Sequence, residues 1–193
     1  MKTIYFATSN KGKVASMREA LAPYQVDIRH VPFDLPEPRI EDVREIAKAK
    51  VEYAYAKLES PVFAIDAGFY IPSQRGFPKT YVNFALATID ISGILKLVEG
   101  TDRLCEYRNC LAYLDHSLSE PEYFESRVKG TIAATARGEM KPYCWSRLSR
   151  IFIPQGESKI QAEMTESEFN LWREKRKPNS FAVRFGEWVS KRK

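Results

Sequence analysis

Lys2-Thr3-Ile4-Tyr5-Phe6-Ala7-Thr8-Ser9-Asn10-Lys11-Gly12-Lys13 reads as a strand breaking into a polar, glycine-containing turn, and Val14 to Leu21 follow with a helical pattern. The β-branched and aromatic run from Lys2 to Ala7 suits a buried, extended segment. A strand that opens through small polar residues, Gly and Lys into a helix makes a place for anionic groups. Backbone N–H groups and the positive helix end face the ligand, and Lys adds a mobile charge. The pattern G-x-x-x-x-G-K-[ST] is absent, so this is no Walker loop. A capped βα turn with solvated lysines accounts for the same hexapeptide equally well.

Val26 to Val31 supply a second strand, and the Pro-rich Pro32-Phe33-Asp34-Leu35-Pro36-Glu37-Pro38 forbids regular structure before Glu41-Asp42. Val43, Ile46, Ala47, Val51, Ala54 and Leu58 recur near a 3.6 period and predict a helix over 41–59, ended by Pro61. Val62-Phe63-Ala64-Ile65 predicts a short strand that stops at Asp66-Ala67-Gly68. Gly76-Phe77-Pro78 marks a loop, and a helix-like stretch over 80–99 breaks near Ser92-Gly93. Arg103 to Asp115, Tyr123 to Ala134 and Leu148 to Ile153 predict three further strands; Glu166 to Lys175 and Phe181 to Lys191 predict closing helices. Alternating α and β, then hairpin-like strands, point to a mixed α/β fold in a single domain over 1–193.

The net charge of +5 suits a polyanionic ligand, but much of the excess lies late, in Arg173 to Lys177 and Lys191 to Lys193. Such runs are mostly solvated surface, and no nucleic-acid partner is expected. Three cysteines without C-x-x-C spacing and two histidines argue against a zinc site or disulfide framework, and reduced thiols are expected. No apolar run reaches the roughly 18 residues that span a bilayer, and the N-terminal stretch has no signal-type apolar segment. A soluble, cytoplasmic protein is the expectation.

Asp66 follows an apolar strand, with Gly68 behind it to permit close backbone approach, and Glu41 stands at the start of the second predicted helix. One or two carboxylates plus substrate phosphates are the usual way to hold Mg²⁺. With Asn10 and Lys13 these residues give an anion cradle beside a hard-metal site. Read alone, Glu41 is equally a helix N-terminal charge and Asp66 a turn residue.

These segments in order resemble the Ham1-type inosine triphosphate pyrophosphatases over Lys2 to about Trp188. The family's S/T-x-N-x-x-K appears as Thr8-Ser9-Asn10-Lys11-Gly12-Lys13, and its acidic-Asp-S-G segment as Ile65-Asp66-Ala67-Gly68-Phe69-Tyr70-Ile71. Its G-F/A-P-G-x-Y loop appears as Gly76-Phe77-Pro78-Lys79-Thr80-Tyr81. Gly93 to Gly100, Gly130-Thr131-Ile132 with Arg137-Gly138, Ile151 to Pro154 and Ala162 to Thr165 follow in order. The resemblance implies an elongated central sheet flanked by helices, two lobes with a nucleotide cleft, and a homodimer. It implies hydrolysis of a nucleoside triphosphate to monophosphate and pyrophosphate with Mg²⁺. Thr8, Ser9, Asn10 and Lys13 would then hold phosphates, Glu41 would bind metal, and Asp66 would bind metal or act as base. Gly68, Phe69, Trp145, Ser149 and Arg184 would contact substrate.

The departures from the family are concentrated. Its F-G-[WY]-D-P appears as Ser146-Arg147-Leu148-Ser149-Arg150, so Ser146 stands for the stacking aromatic and Ser149 for the base-contacting Asp. Trp145, one position earlier, offers an alternative stacking face. The family's S-H-R appears as Ala182-Val183-Arg184, Ile65 and Ala67 flank Asp66 in place of an acid and a Ser, and Lys79 replaces a loop Gly. The Lys that precedes S-H-R has no certain counterpart, although Lys175 and Lys177 lie nearby. A pocket that hydrogen-bonds one base edge discriminates strongly, so a rebuilt one changes preference. The expected activity is a metal-dependent triphosphate pyrophosphohydrolase acting on a non-canonical or modified nucleotide. The alternative is a catalytically degenerate relative that binds nucleotide or nucleic acid.

Overall fold

The computed structural model describes residues 2–192. In chain order the elements are β1 (Lys2–Ala7), α1 (Lys11–Leu21), β2 (Val26–Val31), α2 (Val43–Leu58), β3 (Val62–Tyr70), β4 (Pro78–Lys79), α3 (Val82–Thr88) and α4 (Asp90–Leu97). They continue with β5 (Leu104–Leu114), β6 (Glu122–Ile132), β7 (Phe152–Pro154), α5 (Glu166–Lys175) and α6 (Phe181–Lys191). One seven-stranded sheet runs β2-β1-β3-β5-β6-β7, and β4 pairs with β3. β1 is parallel to β2 and β3, whereas β3–β4 and β6–β7 are antiparallel, so the sheet is mixed.

Two compact units divide the chain. The first comprises residues up to Ala67, Asn109–Ser126 and the segment from Lys177 onward. Its core on one sheet face packs Val43, Ala47, Val51 and Ala54 of α2 against Ala7, Val62, Ala64 and Ala112. On the other face Phe6 stacks on Phe63 at 4.3 Å, and Phe185 of α6 meets Phe63 at 5.3 Å. The second unit, Gly68–Arg108 with Arg127–Arg176, has its own core of Phe69, Ile71, Ile94, Leu148, Ile151 and Phe152. Cys105, Cys110 and Cys144 are buried and unpaired, and burial pushes the Cys110 thiol up to about 12. No helix among the described residues is long and apolar enough to cross a membrane.

Both closing helices occupy the spans that the sequence predicts. Three elements differ from expectation. β3 does not stop at Asp66 but runs on to Tyr70, because β4 pairs with Phe69 and Tyr70 and Gly68 leaves room for that pairing. A Cβ on Gly68 would lie 2.8 Å from the Lys79 carbonyl oxygen. The break between α3 and α4 falls at Ile89–Asp90, not at Ser92-Gly93. Gly93 instead lets the Ile89 side chain pack where a Cβ would be 2.5 Å away. Lastly, residues 147–150 form a 3₁₀ turn capped by Ser146, and only Phe152–Pro154 joins the sheet. Leu148 and Ile151 are buried from irregular backbone, and a short apolar run alone cannot distinguish that from a strand.

Candidate active site

Side chains alternate along a strand, so Asp66 shares a face with Val62 and Ala64, the face covered by α2. On α2 the buried stripe is Val43, Ile46, Ala47, Lys50, Val51 and Ala54. Lys50 thus stands among apolar neighbours and points its ammonium at Asp66. Lys50 Nζ lies 2.8 Å from Asp66 Oδ1 and 3.0 Å from Glu37 Oε1. Both Lys50 and Asp66 are buried, while the Glu37 side chain is 66% exposed and lies toward solvent. Every buried side-chain polar atom among the described residues has a hydrogen-bond partner, as low-dielectric packing requires.

The turn after β1 supplies the second part. Thr8 Oγ1 accepts from the Asn10 N–H at 3.1 Å, and Asn10 Oδ1 accepts from the Lys13 N–H at 3.1 Å, capping α1. The cap leaves α1 with its N-terminal dipole at this turn. Lys13 reaches across to donate from Nζ to the Ile65 carbonyl at 3.0 Å, one residue before Asp66. From β2, the His30 ring Nε2 meets the Thr8 carbonyl at 2.7 Å.

The two ammonium groups respond oppositely to this environment. Burial is the largest influence on Lys13 and, with the Lys50 charge, lowers its pKa to about 8, although Asp66 and Glu37 pull it up. Burial also works to lower Lys50, but the charges and hydrogen bonds of Asp66 and Glu37 outweigh it and hold that ammonium above its ordinary value. The difference lies in the partners: Lys50 has two carboxylates in contact, whereas Lys13 donates to a neutral carbonyl.

The first unit therefore gathers Thr8, Asn10, Lys13 and Asp66, with Ser9 exposed on the turn. Lys50 and Glu37 join them, and neither was singled out from sequence. Lys50 carried a legible signal, a lysine on the apolar stripe of a helix; Glu37, inside a Pro-rich segment, carried none. Glu41 is exposed and stands one residue before Asp42, which caps α2 by accepting from the Arg44 N–H at 2.8 Å. Among the described residues no group of three or more His, Cys, Asp and Glu is arranged to hold a metal ion. Asp66 and Glu37 share one cation through Lys50, and two hard-oxygen carboxylates completed by phosphate oxygens suit a divalent ion that keeps several waters.

The remaining candidates have other surroundings. Gly68 is filled by the Lys79 backbone, and Phe69 is wholly buried, its ring 4.8 Å from Tyr107. Trp145 is half-buried, and Ser149 is 2% exposed within the 147–150 turn. Arg147 of that turn binds Asp90 Oδ1 and the Leu86 carbonyl, each at 2.9 Å. Arg184 lies on the exposed side of α6 and donates to the Glu125 carbonyl, in a groove with Tyr123, Phe124 and Trp188. Lys79, at the family's Gly position, has φ 57°, the left-handed region in which Gly is the unstrained choice.

Comparison with known proteins gives consistent matches. A family model described as the Ham1 family matches residues 4–178. A protein of Methanopyrus kandleri named dITP/XTP pyrophosphatase is 34% identical over 86% of both chains. One of the same name from Thermococcus kodakarensis is 32% identical, also over 86% of both. The solved structure of a HAM1 protein from Coxiella burnetii superposes with a TM-score of 0.77 at 21% identity, over 98% of this chain and 97% of that one. At that identity the superposition speaks for the fold.

Proposed function

The chain belongs to the Ham1 family, and from that premise we propose that it is a nucleoside triphosphate pyrophosphohydrolase. Water adds at the α-phosphorus, the α–β anhydride breaks, and monophosphate and pyrophosphate leave. One observation carries this reading: buried Asp66 and Lys50, with Glu37, sit beside a capped turn that presents Lys13 and the first N–H groups of α1. Phosphoryl transfer needs charge neutralisation and an oriented water more than a covalent nucleophile.

In the proposed mechanism Asn10 keeps the turn open toward the phosphates by capping α1 from its own side chain. Ser9 contributes its backbone N–H and hydroxyl and Thr8 its hydroxyl, the Thr8 N–H being held by the Val31 carbonyl, and Lys13 pairs with the phosphate tail. Asp66 orients the attacking water and takes its proton, and Lys50 holds the Asp66 carboxylate in place. Asp66 and Glu37 would hold Mg²⁺, with Glu41 a second acidic group of the same loop; the ion, when bound, neutralises charge on the phosphates. The family resemblance alone supports substrate contacts from Gly68, Phe69, Trp145, Ser149 and Arg184. Ser149 and Ala182-Val183, where the family carries Asp and Ser-His, favour a modified or non-canonical triphosphate as substrate. Residues 1–193 would act as one family-type domain, in a dimer and in the cytoplasm.

The same substitutions favour a second reading, in which the chain binds a nucleotide without cleaving it. A panel of nucleoside triphosphates, including the xanthosine and deoxyinosine forms, separates the two when incubated with Mg²⁺ and assayed for pyrophosphate. Stoichiometric pyrophosphate and monophosphate from one or more members is the expected result. Tight binding with no turnover of any member would leave only the second reading.

A further inference from the structure

The imidazole of His30 is not among the groups that the proposed chemistry uses, yet it touches the turn on which that chemistry rests. β2 is the edge strand of the sheet, and its register pairs Phe6 with His30 and Ala7 with Val31. The ladder's last rung carries the Thr8 N–H to the Val31 carbonyl at 3.1 Å. Beyond it, Thr8 has one backbone acceptor left, and His30 Nε2 lies 2.7 Å from it. A carbonyl oxygen can only accept, so Nε2 carries the proton.

We propose that His30 is a positioning residue for the phosphate-binding turn: its Nε2–H clamps the Thr8 carbonyl and thereby aims Asn10, the α1 N-terminus and Lys13. The linkage is continuous. His30 holds Thr8 O, Thr8 Oγ1 holds the Asn10 N–H, Asn10 Oδ1 holds the Lys13 N–H, and Lys13 Nζ holds Ile65 O beside Asp66. Without the clamp the peptide between Thr8 and Ser9 loses the side-chain hydrogen bond that fixes its carbonyl. The loss falls on the ground-state grip on the polyphosphate; the Lys50–Asp66 pair is anchored separately by α2 and β3. The inference rests on the reading that this turn binds phosphates.

Two variants and one spectrum test it. His30→Phe keeps a ring and removes the donor, whereas His30→Gln keeps an N–H donor. Steady-state kinetics on a triphosphate that the wild type cleaves, and competitive inhibition by pyrophosphate, are read beside the melting temperature. In His30→Phe both KM and the pyrophosphate inhibition constant should rise about three- to tenfold, the effect of one hydrogen bond, with kcat within about twofold. His30→Gln should restore both to near the wild-type values. Unchanged KM and inhibition in His30→Phe, or equal loss in both variants, would overturn the role. Nitrogen-15 spectra of the wild type's His30 ring give a readout that no variant's folding can affect: an Nε2–H tautomer is expected, and Nδ1–H would contradict the clamp. If the wild type neither binds pyrophosphate nor cleaves any triphosphate, the phosphate reading itself has failed, a result distinct from altered His30 variants in an active enzyme.

Discussion

Two short turns of this chain, Thr8 to Lys13 and Ser146 to Ile151, have the same economy of construction and opposite chemical content. Each is capped by a polar side chain accepting from a backbone N–H, Asn10 from Lys13 and Ser146 from Leu148. The first keeps every residue of the family pattern and lies beside a buried Lys–Asp pair. The second keeps neither the family's aromatic nor its Asp; its Arg147 is committed to Asp90 and Leu86, and Ser149 is buried. Groups that neutralise polyphosphate are interchangeable between substrates, whereas groups that read a base edge are not. On the proposed function, the contrast is that of a family pattern kept at the phosphate-binding turn and lost at the base-reading one.

The largest effect that would break this contrast is at Asp66. Asp66→Asn should lower kcat by on the order of a thousandfold, because the oriented water is lost while the phosphate grip remains; a variant within tenfold of wild type would put the chemistry elsewhere. Lys50→Met comes next. Removing one member of a buried ion pair costs stability as well as activity, and a loss of about 3 kcal/mol in denaturant unfolding is expected, with kcat reduced. Glu37→Gln and Glu41→Gln sharpen the assignment of the acidic partner, Glu37 Oε1 lying 3.0 Å from Lys50 Nζ. Their metal-activation curves should differ, with Glu37→Gln needing about tenfold more Mg²⁺.

Lys13 links pH to both binding and stability. Its ammonium, with a pKa of about 8, is charged below that pH, so KM for the triphosphate should rise as pH climbs through it. For stability the sign is reversed: between about 8 and the ordinary value of 10.5 the unfolded chain holds a proton that the folded chain has released. Folding therefore bears the cost of burying this charge below pH 8, and the cost fades as pH rises toward 10.5. Lys13→Met should melt about 2 °C higher at pH 7 and lose that advantage near pH 10, while binding phosphate poorly. On the rebuilt side, Ser149→Asp places a carboxylate in a position 2% exposed, and a loss of about 1–3 kcal/mol without a new base preference is expected. Lys79→Gly, which relieves the left-handed backbone, should raise stability by about 1 kcal/mol.

What the sequence made legible follows the same division. β1, β2 and the two last helices could be read because each is set by its own contiguous residues, with no distant partner needed to define it. The continuation of β3 through Asp66 was not legible. Asp-Ala-Gly reads locally as a turn, and only the distant β4 and Lys50 make it a strand with a neutralised carboxylate. Likewise the acidic residue beside Lys50 depends on how a Pro-rich loop folds back, which no periodicity encodes. Asn10 and Lys13 were legible because a cap and the residue it caps are close in sequence.

The most direct test is metal- and nucleotide-dependent protection against thermal unfolding. Wild type and Asp66→Asn are compared with a non-hydrolysable triphosphate, with and without Mg²⁺. The account predicts that the analogue stabilises both proteins, and that Mg²⁺ adds a further upward shift in the wild type alone. An equal Mg²⁺ increment in the two proteins would contradict the placement of the metal at Asp66.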